Sequence, residues 1–502
     1  MTMNLRQLVT ESARRFPTRP AMVGEDPLTY RQLDTLAARF ATHLDSIGVT
    51  SVHRVCLQLP NSAAFLVAYF GALHVGAAVV PISPQLRERE VAHVLQAAQV
   101  DFLVHSEHDP VTPGSTKNVA LPLDSSGLDN ALPGYATPDY QPRSSTDPAV
   151  IMFTSGTTGR PKGAVLTHSN MLWSAQIAAL HLEISSDDVS LLAVPAFHIL
   201  GQSFVVNASL IAGAAVLPIA RFNPPDCLNQ MARHKVSTAL GVPAMFWGLL
   251  QAARHVGERL PDMRLACVGG APVPAELVRT FEAYFDTPIY EGYGMSETAG
   301  VAIANSLHRP RIPGSAGQPV WGVHARVVSP TGAVVRDGTP GELHLRGHSI
   351  MAGYYGLGDD TSAVMHPGGW MATGDIAKID DDGEVYIIDR AKDVIIRNGF
   401  NVYPREVEDV LLEHPALTNA AVVGLPHHLH GEEIAAICVA TQETPSVEEI
   451  QAFVAQRLAP YKYPRYVSFV DELPLGPSGK VLRRAVDLSC FPDLSGAPQQ
   501  QQ

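Results

Sequence analysis

One segment of the chain is dense in groups that bind phosphate. In AVIMFTSGTTGRPKGAVLTHSN (149–170) an apolar run leads directly into Thr154, Ser155, Gly156, Thr157, Thr158, Gly159, Arg160, Pro161, Lys162 and Gly163. Glycines let backbone N–H groups close around phosphate oxygens, hydroxyls add donors and Lys162 adds a positive charge, so the composition suits a polyphosphate. It is not a P-loop of the G-x-x-x-x-G-K-[ST] type, because Lys162 is followed by Gly163. A second segment, GYGMSE (292–297), sets a flat aromatic, a hydroxyl and a carboxylate close together, the set needed to hold an adenine, touch a phosphate and ligate a hard cation. Magnesium is satisfied by few carboxylates when phosphate oxygens and waters complete its shell. Alone, the hexapeptide reads as a solvated turn; beside the loop it reads as a nucleotide and metal site.

Lysine usage points the same way. The chain has seven Lys, at 117, 162, 235, 378, 392, 462 and 480, among 36 Lys plus Arg. Where Arg is so strongly preferred, a retained Lys marks a place that wants a compact point charge. Lys480 lies in the glycine-flanked GPSGK (476–480). The acidic run DDDGE (380–384) reads as a hairpin turn between strands. PHHLHGE (426–432) reads as a loop with incidental histidines.

These groups must be held by a sizeable scaffold. Its 502 residues predict two to four folding units, and 46% hydrophobic residues with a net charge of −13 describe an ordinary globular protein with no general pull toward nucleic acid or anionic lipid. Five scattered cysteines fit neither a disulfide framework nor a thiolate metal site, which implies a reducing, cytoplasmic setting. The first seventeen residues read as an amphipathic helix, not a secretory signal. Residues 55–86 and 189–220 contain no Asp, Glu, Lys or Arg, yet their internal Pro, Asn, Gln and His argue for buried core segments over membrane spans.

Apolar β-rich runs (54–59, 77–82) alternate with helical patterns (30–47, 62–73), the signature of an α/β domain with a parallel sheet. Residues 106–148 read as surface connections and irregular strands. After about Ile312, short alternating segments such as VHARVVSP, GELHLRG and EVYIIDR predict a β-barrel-like unit. From Pro404 the pattern predicts helix, strand, helix, strand over PREVEDVLLEHP, NAAVVGLP, EEIAAICVA and VEEIQAFVAQRLA, a small α+β domain. We expect a large domain over 1–390, a small mobile one over 391–490 and a disordered tail over 491–502.

TSGTTGRPKG closely resembles the phosphate loop of the adenylate-forming enzymes, which include acyl-CoA synthetases, adenylation domains and beetle luciferases. The resemblance continues in order through PAFHILG (195–201), GGAPVP (269–274), YGMSETAG (293–300), TGD (373–375), DRAKDVIIRNGFNVYP (389–404) and PLGPSGK (474–480), nearly the whole chain. It implies ATP, Mg²⁺ and CoA as cofactors, with Thr154, Ser155, Gly156, Thr157, Thr158 and Lys162 on the phosphates. It further implies Tyr293 against adenine with Gly294 beside it, Gly270, Ala271 and Pro272 flanking the purine, Ser296 at the α-phosphate and Glu297 on the metal. Asp375 would take the ribose hydroxyls, and Arg390 a second ribose or phosphate contact. Lys480 would reach the reacting carboxylate and α-phosphate, Lys392 would be the hinge between domains, and Gly399 would leave room for pantetheine.

For the acyl group the resemblance points to Phe197, His198, Leu200, Val242, Gly270, Gly292, Met295 and Ala299. Relatives that activate α-amino acids carry Asp at the position of His198, so an amino-acid substrate is disfavoured. No Arg or Lys falls in this lining, which disfavours a dicarboxylate. The expectation is therefore a carboxylate–thiol ligase closest to fatty acyl-CoA ligases, forming an acyl-adenylate and then a thioester from a medium- or long-chain fatty acid. Its partners are small molecules. The alternatives are a fatty acyl-AMP ligase or acyl-carrier-protein ligase that loads a phosphopantetheine arm, an aryl-CoA ligase, a luciferase-like oxygenase and a non-catalytic nucleotide-binding protein.

Overall fold

The computed structural model describes residues 3–107, 116–135, 139–154, 161–271, 273–397, 400–427, 431–441, 443–475 and 481–491. The tail expected to be disordered falls, from residue 492 onward, outside them. The chain divides into two compact units, Met1–Ala325 with Leu345–Met371, and Arg326–His344 with Ala372–Gln502.

The first unit is built on two largely parallel sheets. One runs Gln318–Pro319, Gly300–Ala304, Ile289–Met295, Leu265–Val268, Thr238–Gly241, Val189–Leu192, Ala215–Pro218, Pro20–Met22, Leu28–Thr29. The other runs Gly353–Tyr354, Lys162–Thr167, Pro148–Thr154, Ala78–Pro81, Arg54–Gln58, Phe102–Ser106, Lys117–Leu121. Antiparallel pairs are confined to the edges, including Pro148–Thr154 with Lys162–Thr167. The charge-free stretches fold as expected of core. Helix Ala63–His74 is buried along its whole length and starts at Ser62, whose hydroxyl accepts from Phe65 N–H at 3.3 Å. Helix Tyr30–Ser46 begins with a reciprocal Thr29/Gln32 cap, which satisfies orphan N–H groups at its start. Among the described residues no helix is long and apolar enough to cross a membrane. The stretch read as surface connections and irregular strands includes a strand, Lys117–Leu121, and a short helix, Ser125–Ala131.

Within the second unit, short alternating strands belong to a six-stranded sheet that pairs Val327 with Val335 and Asp375 with Arg390. DDDGE turns between two of them, with Asp380 N–H bonded to Glu384 O at 3.1 Å and Gly383 at φ +82°. The order from Pro404 differs from expectation. It is helix Pro404–Leu412, strand Leu417–His427, strand Gly431–Ala440, helix Val447–Ala455 and strand Tyr466–Phe469. EEIAAICVA is a strand because it is the centre of a five-stranded sheet, where Ile434, Ala436 and Cys438 point into one core and Ile437 into another. Burial on both faces erases the alternation that marks a half-exposed strand. VEEIQAFVA is a helix, capped by the Ser446 hydroxyl on Glu449 N–H.

Candidate active site

The phosphate-type segment is flanked by two antiparallel strands, Pro148–Thr154 and Lys162–Thr167. Thr154 ends its strand directly opposite Lys162, so the ends of the loop are pinned together. Ser155, Gly156, Thr157 and Thr158 lie outside the described residues. Gly163 is required by packing, since a Cβ there would stand 2.7 Å from Ile151 Cγ2. The strand Gly353–Tyr354 adds to the open edge of this pair, placing Tyr354 opposite Ala164. Met351 N–H donates to Glu297 O at 2.9 Å, which draws the turn Ser296–Thr298 to the same place.

These pairings assemble one polar cluster. The Tyr354 hydroxyl donates to Glu297 Oε1 at 2.9 Å, and the Thr154 hydroxyl lies 3.5 Å from the same oxygen. Lys162 Nζ forms an ion pair with Asp360 and stands 5.4 Å from the centre of the Tyr354 ring. Glu297 and Ser296 are buried, and Tyr293 is half-buried on the strand Ile289–Met295. Burial raises the Tyr354 phenol pKa, and the neighbouring Glu297 carboxylate raises it further, so the hydroxyl stays a proton donor. Among the described residues no three His, Cys, Asp or Glu side chains gather as a cation cage. One buried carboxylate beside a phosphate-type loop nevertheless fits magnesium, which takes its remaining ligands from phosphate and water.

A second group lies at the C-terminal ends of four neighbouring parallel strands, Val189–Leu192, Thr238–Gly241, Leu265–Val268 and Ile289–Met295. Such strand ends are where ligands bind in open α/β sheets. From them emerge Phe197, His198 and Leu200, then Val242, Gly270 and Ala271, then Gly292 and Met295. Gly270 has φ +74°, and among the described residues a Cβ there would meet only Val242 Cγ1, at 3.7 Å. Gly294 is different: a Cβ would lie 1.9 Å from the Gly300 carbonyl, so its smallness serves strand pairing. Ala299 is fully buried, with its carbonyl bonded to Ser174 Oγ at 2.7 Å. Pro272 lies outside the described residues.

His198 precedes a π-helix, Leu200–Asn207, which the sequence reading did not anticipate. The helix packs so closely on the preceding backbone that a Cβ on Gly201 would sit 2.3 Å from Pro195 O. Burial lowers the His198 pKa, and its Nδ1 accepts from Leu200 N–H at 3.3 Å, which fits a neutral ring.

In the second unit Asp375 faces Arg390 across a strand pair, Oδ1 to Nε 3.6 Å, the carboxylate mostly buried and the guanidinium half-exposed. Lys392 is exposed in the turn Ala391–Asp393. Gly399 and Lys480 lie outside the described residues; Leu475 and Val481 form an isolated antiparallel bridge. Tyr354 and Asp360, central to the first cluster, were missed by the sequence reading. Their segment, GYYGLGDDT (353–361), has the composition of a solvent turn, and only its alternation of small and aromatic residues hinted at an edge strand.

The model of the AMP-binding enzyme family matches residues 9–355, and that of the AMP-binding enzyme C-terminal domain matches residues 406–480. The chain belongs to the AMP-binding enzyme family. It is 35% identical over 468 residues to a feruloyl-CoA synthase of Amycolatopsis sp, covering 92% of this chain and 94% of the relative. It is 32% identical over 524 residues to a long-chain-fatty-acid–CoA ligase of Bacillus subtilis, covering 96% and 93%. ATP-bound MatB from Rhodopseudomonas palustris superposes with a TM-score of 0.90 at 30% identity, covering 96% of this chain and 98% of that one.

Proposed function

We propose that this AMP-forming acid–thiol ligase converts a medium- or long-chain fatty acid to its CoA thioester. Family membership makes it a CoA ligase that uses ATP, Mg²⁺ and a carboxylic acid. The observation that carries the site assignment is the convergence of Thr154, Lys162 and Glu297 around Tyr354. On this reading the substrate carboxylate attacks the α-phosphorus in line while Thr154, Lys162 and the 155–158 loop hold the pyrophosphate that leaves. Glu297 would hold magnesium, which would supply positive charge against the phosphates. Ser296 contacts the α-phosphate, Tyr293 and Gly294 with Gly270, Ala271 and Pro272 frame the adenine, and Asp375 with Arg390 holds the ribose. Lys480 stabilises charge on the reacting oxygens. A thiol that reaches in past Gly399 then expels AMP, after the small domain has turned about Lys392.

Support for an apolar acyl chain comes from a lining of Phe197, neutral His198, Leu200, Val242, Gly292 and Met295 with no cation among them. An aromatic acid is the second reading, favoured by the likeness to a feruloyl-CoA synthase. A carrier-protein arm in place of CoA would use the same chemistry. Four buried cysteines and one exposed, all unpaired, support a cytoplasmic setting. The test is pyrophosphate release over a panel of alkanoic, aryl, dicarboxylic and amino acids, followed by thioester detection with CoA and with a carrier protein. We expect medium- or long-chain alkanoic acids and CoA to win; best turnover of acetate, malonate or an amino acid overturns the pocket assignment.

A further inference from the structure

We propose that Tyr354 is a positioning residue that keeps the metal-binding carboxylate of Glu297 and the phosphate-binding ammonium of Lys162 from neutralising each other. This rests on the nucleotide reading of both residues given above. The two opposite charges sit in one cluster, and a direct ion pair between them would cancel the charges that a metal ion and a phosphate need. One side chain touches both. The phenol O–H donates to Glu297 Oε1 at 2.9 Å, and the Lys162 ammonium stands 5.4 Å from the ring centre. A hydroxyl donor fixes the carboxylate without neutralising it, and the ring gives the ammonium a weakly attractive face that carries no formal charge.

Asp360 completes the device by offering Lys162 a different partner. It is the more replaceable of the pair, with a side chain 35% exposed against 15% for Lys162. An incoming phosphate oxygen therefore exchanges with Asp360 instead of competing with Glu297. The two parts are locked together, because Tyr354 N–H donates to the Thr361 hydroxyl at 2.9 Å, one residue beyond Asp360. The hydroxyl in turn bonds Leu357 O at 2.8 Å.

The experiment measures binding of ATP with the carboxylic acid left out, once with Mn²⁺ and once with chelator, for wild type, Tyr354→Phe, Tyr354→Leu, Asp360→Asn and Glu297→Gln. Thermal unfolding checks that each variant is folded. Tyr354→Phe keeps the ring and should weaken Mn²⁺-dependent binding about tenfold, the scale on which partners of metal ligands act, while leaving metal-free ATP binding unchanged. Tyr354→Leu should weaken both. Asp360→Asn should tighten metal-free ATP binding a few-fold, since a competitor for Lys162 has been neutralised. If Glu297→Gln loses Mn²⁺-dependent binding and Tyr354→Phe does not, the positioning role is wrong while the metal reading stands. If Glu297→Gln also binds as wild type, both fall.

Discussion

Two ion pairs, one in each unit, hold their charges in opposite ways. In the first, Lys162 meets Asp360 through one contact between partly exposed side chains. In the second, Arg397 presents two guanidinium nitrogens to Glu433, at 2.5 and 3.0 Å, with side chains 10% and 5% exposed. Arg483 is treated similarly, held by Glu408 at 2.5 and 2.9 Å with Asp389 and Asp393 alongside. A fork satisfied at both ends and sealed from water fixes a fold, and a single-point pair at a wet edge can be exchanged for a ligand. Residue type alone does not separate these roles; geometry and burial do.

The largest expected effect would break the comparison on its rigid side. Arg397→Met leaves Glu433 buried and unpaired and should destabilise the second unit by about 3–5 kcal/mol. Lys162→Met should cost the first unit no more than about 1 kcal/mol, because its partner can turn to water. Calorimetric melting of both variants decides; equal losses would erase the distinction.

A charge retained for chemistry should cost rate instead of stability. Lys480→Ala should slow adenylation by about 10²–10³ with little change in melting, and should largely spare thioester formation from pre-made acyl-adenylate. Equal loss in both half-reactions, measured as pyrophosphate and thioester, would contradict a lysine that acts only in the first.

The smallest effect is a difference in acid response. Burial, assisted by Arg143, pushes His168 in the first unit down to about 4, and its Nδ1 accepts from Leu5 N–H at 3.0 Å. The unfolded ring takes its proton near 6.5, so this stabilisation is complete above pH 6.5 and is lost as pH falls from there toward 4. For Glu433 burial alone would raise the pKa, but the hydrogen bonds from Arg397 and Ile434 N–H outweigh it and hold the group below its usual range. Its contribution is therefore complete above the unfolded value of about 4.3 and is lost only as pH falls below that. His168→Asn should flatten the first window in a pH series of thermal melts and leave the second untouched.

Much of this was legible in the sequence because its signals are local. The hydroxyl- and glycine-rich run after an apolar strand, the caps at Thr29 and Ser62, and the DDDGE turn depend on residues a few positions apart. Tyr354 and Asp360 were not legible, because they reach the cluster through a strand pairing and an ion pair that each span nearly two hundred residues. EEIAAICVA was misplaced because a strand buried on both faces and an apolar helix look alike over nine residues. The π-helix after His198 is set by close packing on Pro195, a tertiary constraint with no period of its own.

The two-residue strand Gly353–Tyr354 also has a consequence for solubility. It covers the outer edge of Lys162–Thr167, whose Gly163–Leu166 stretch is apolar, with Ala352 N–H on Val165 O at 2.9 Å and Tyr355 N–H on Gly163 O at 2.8 Å. An apolar strand with a bare edge is a template on which other chains add. Any change that peels residues 351–355 away exposes such an edge, so variants in this segment belong at low protein concentration, where clumping of loosened chains is slowest.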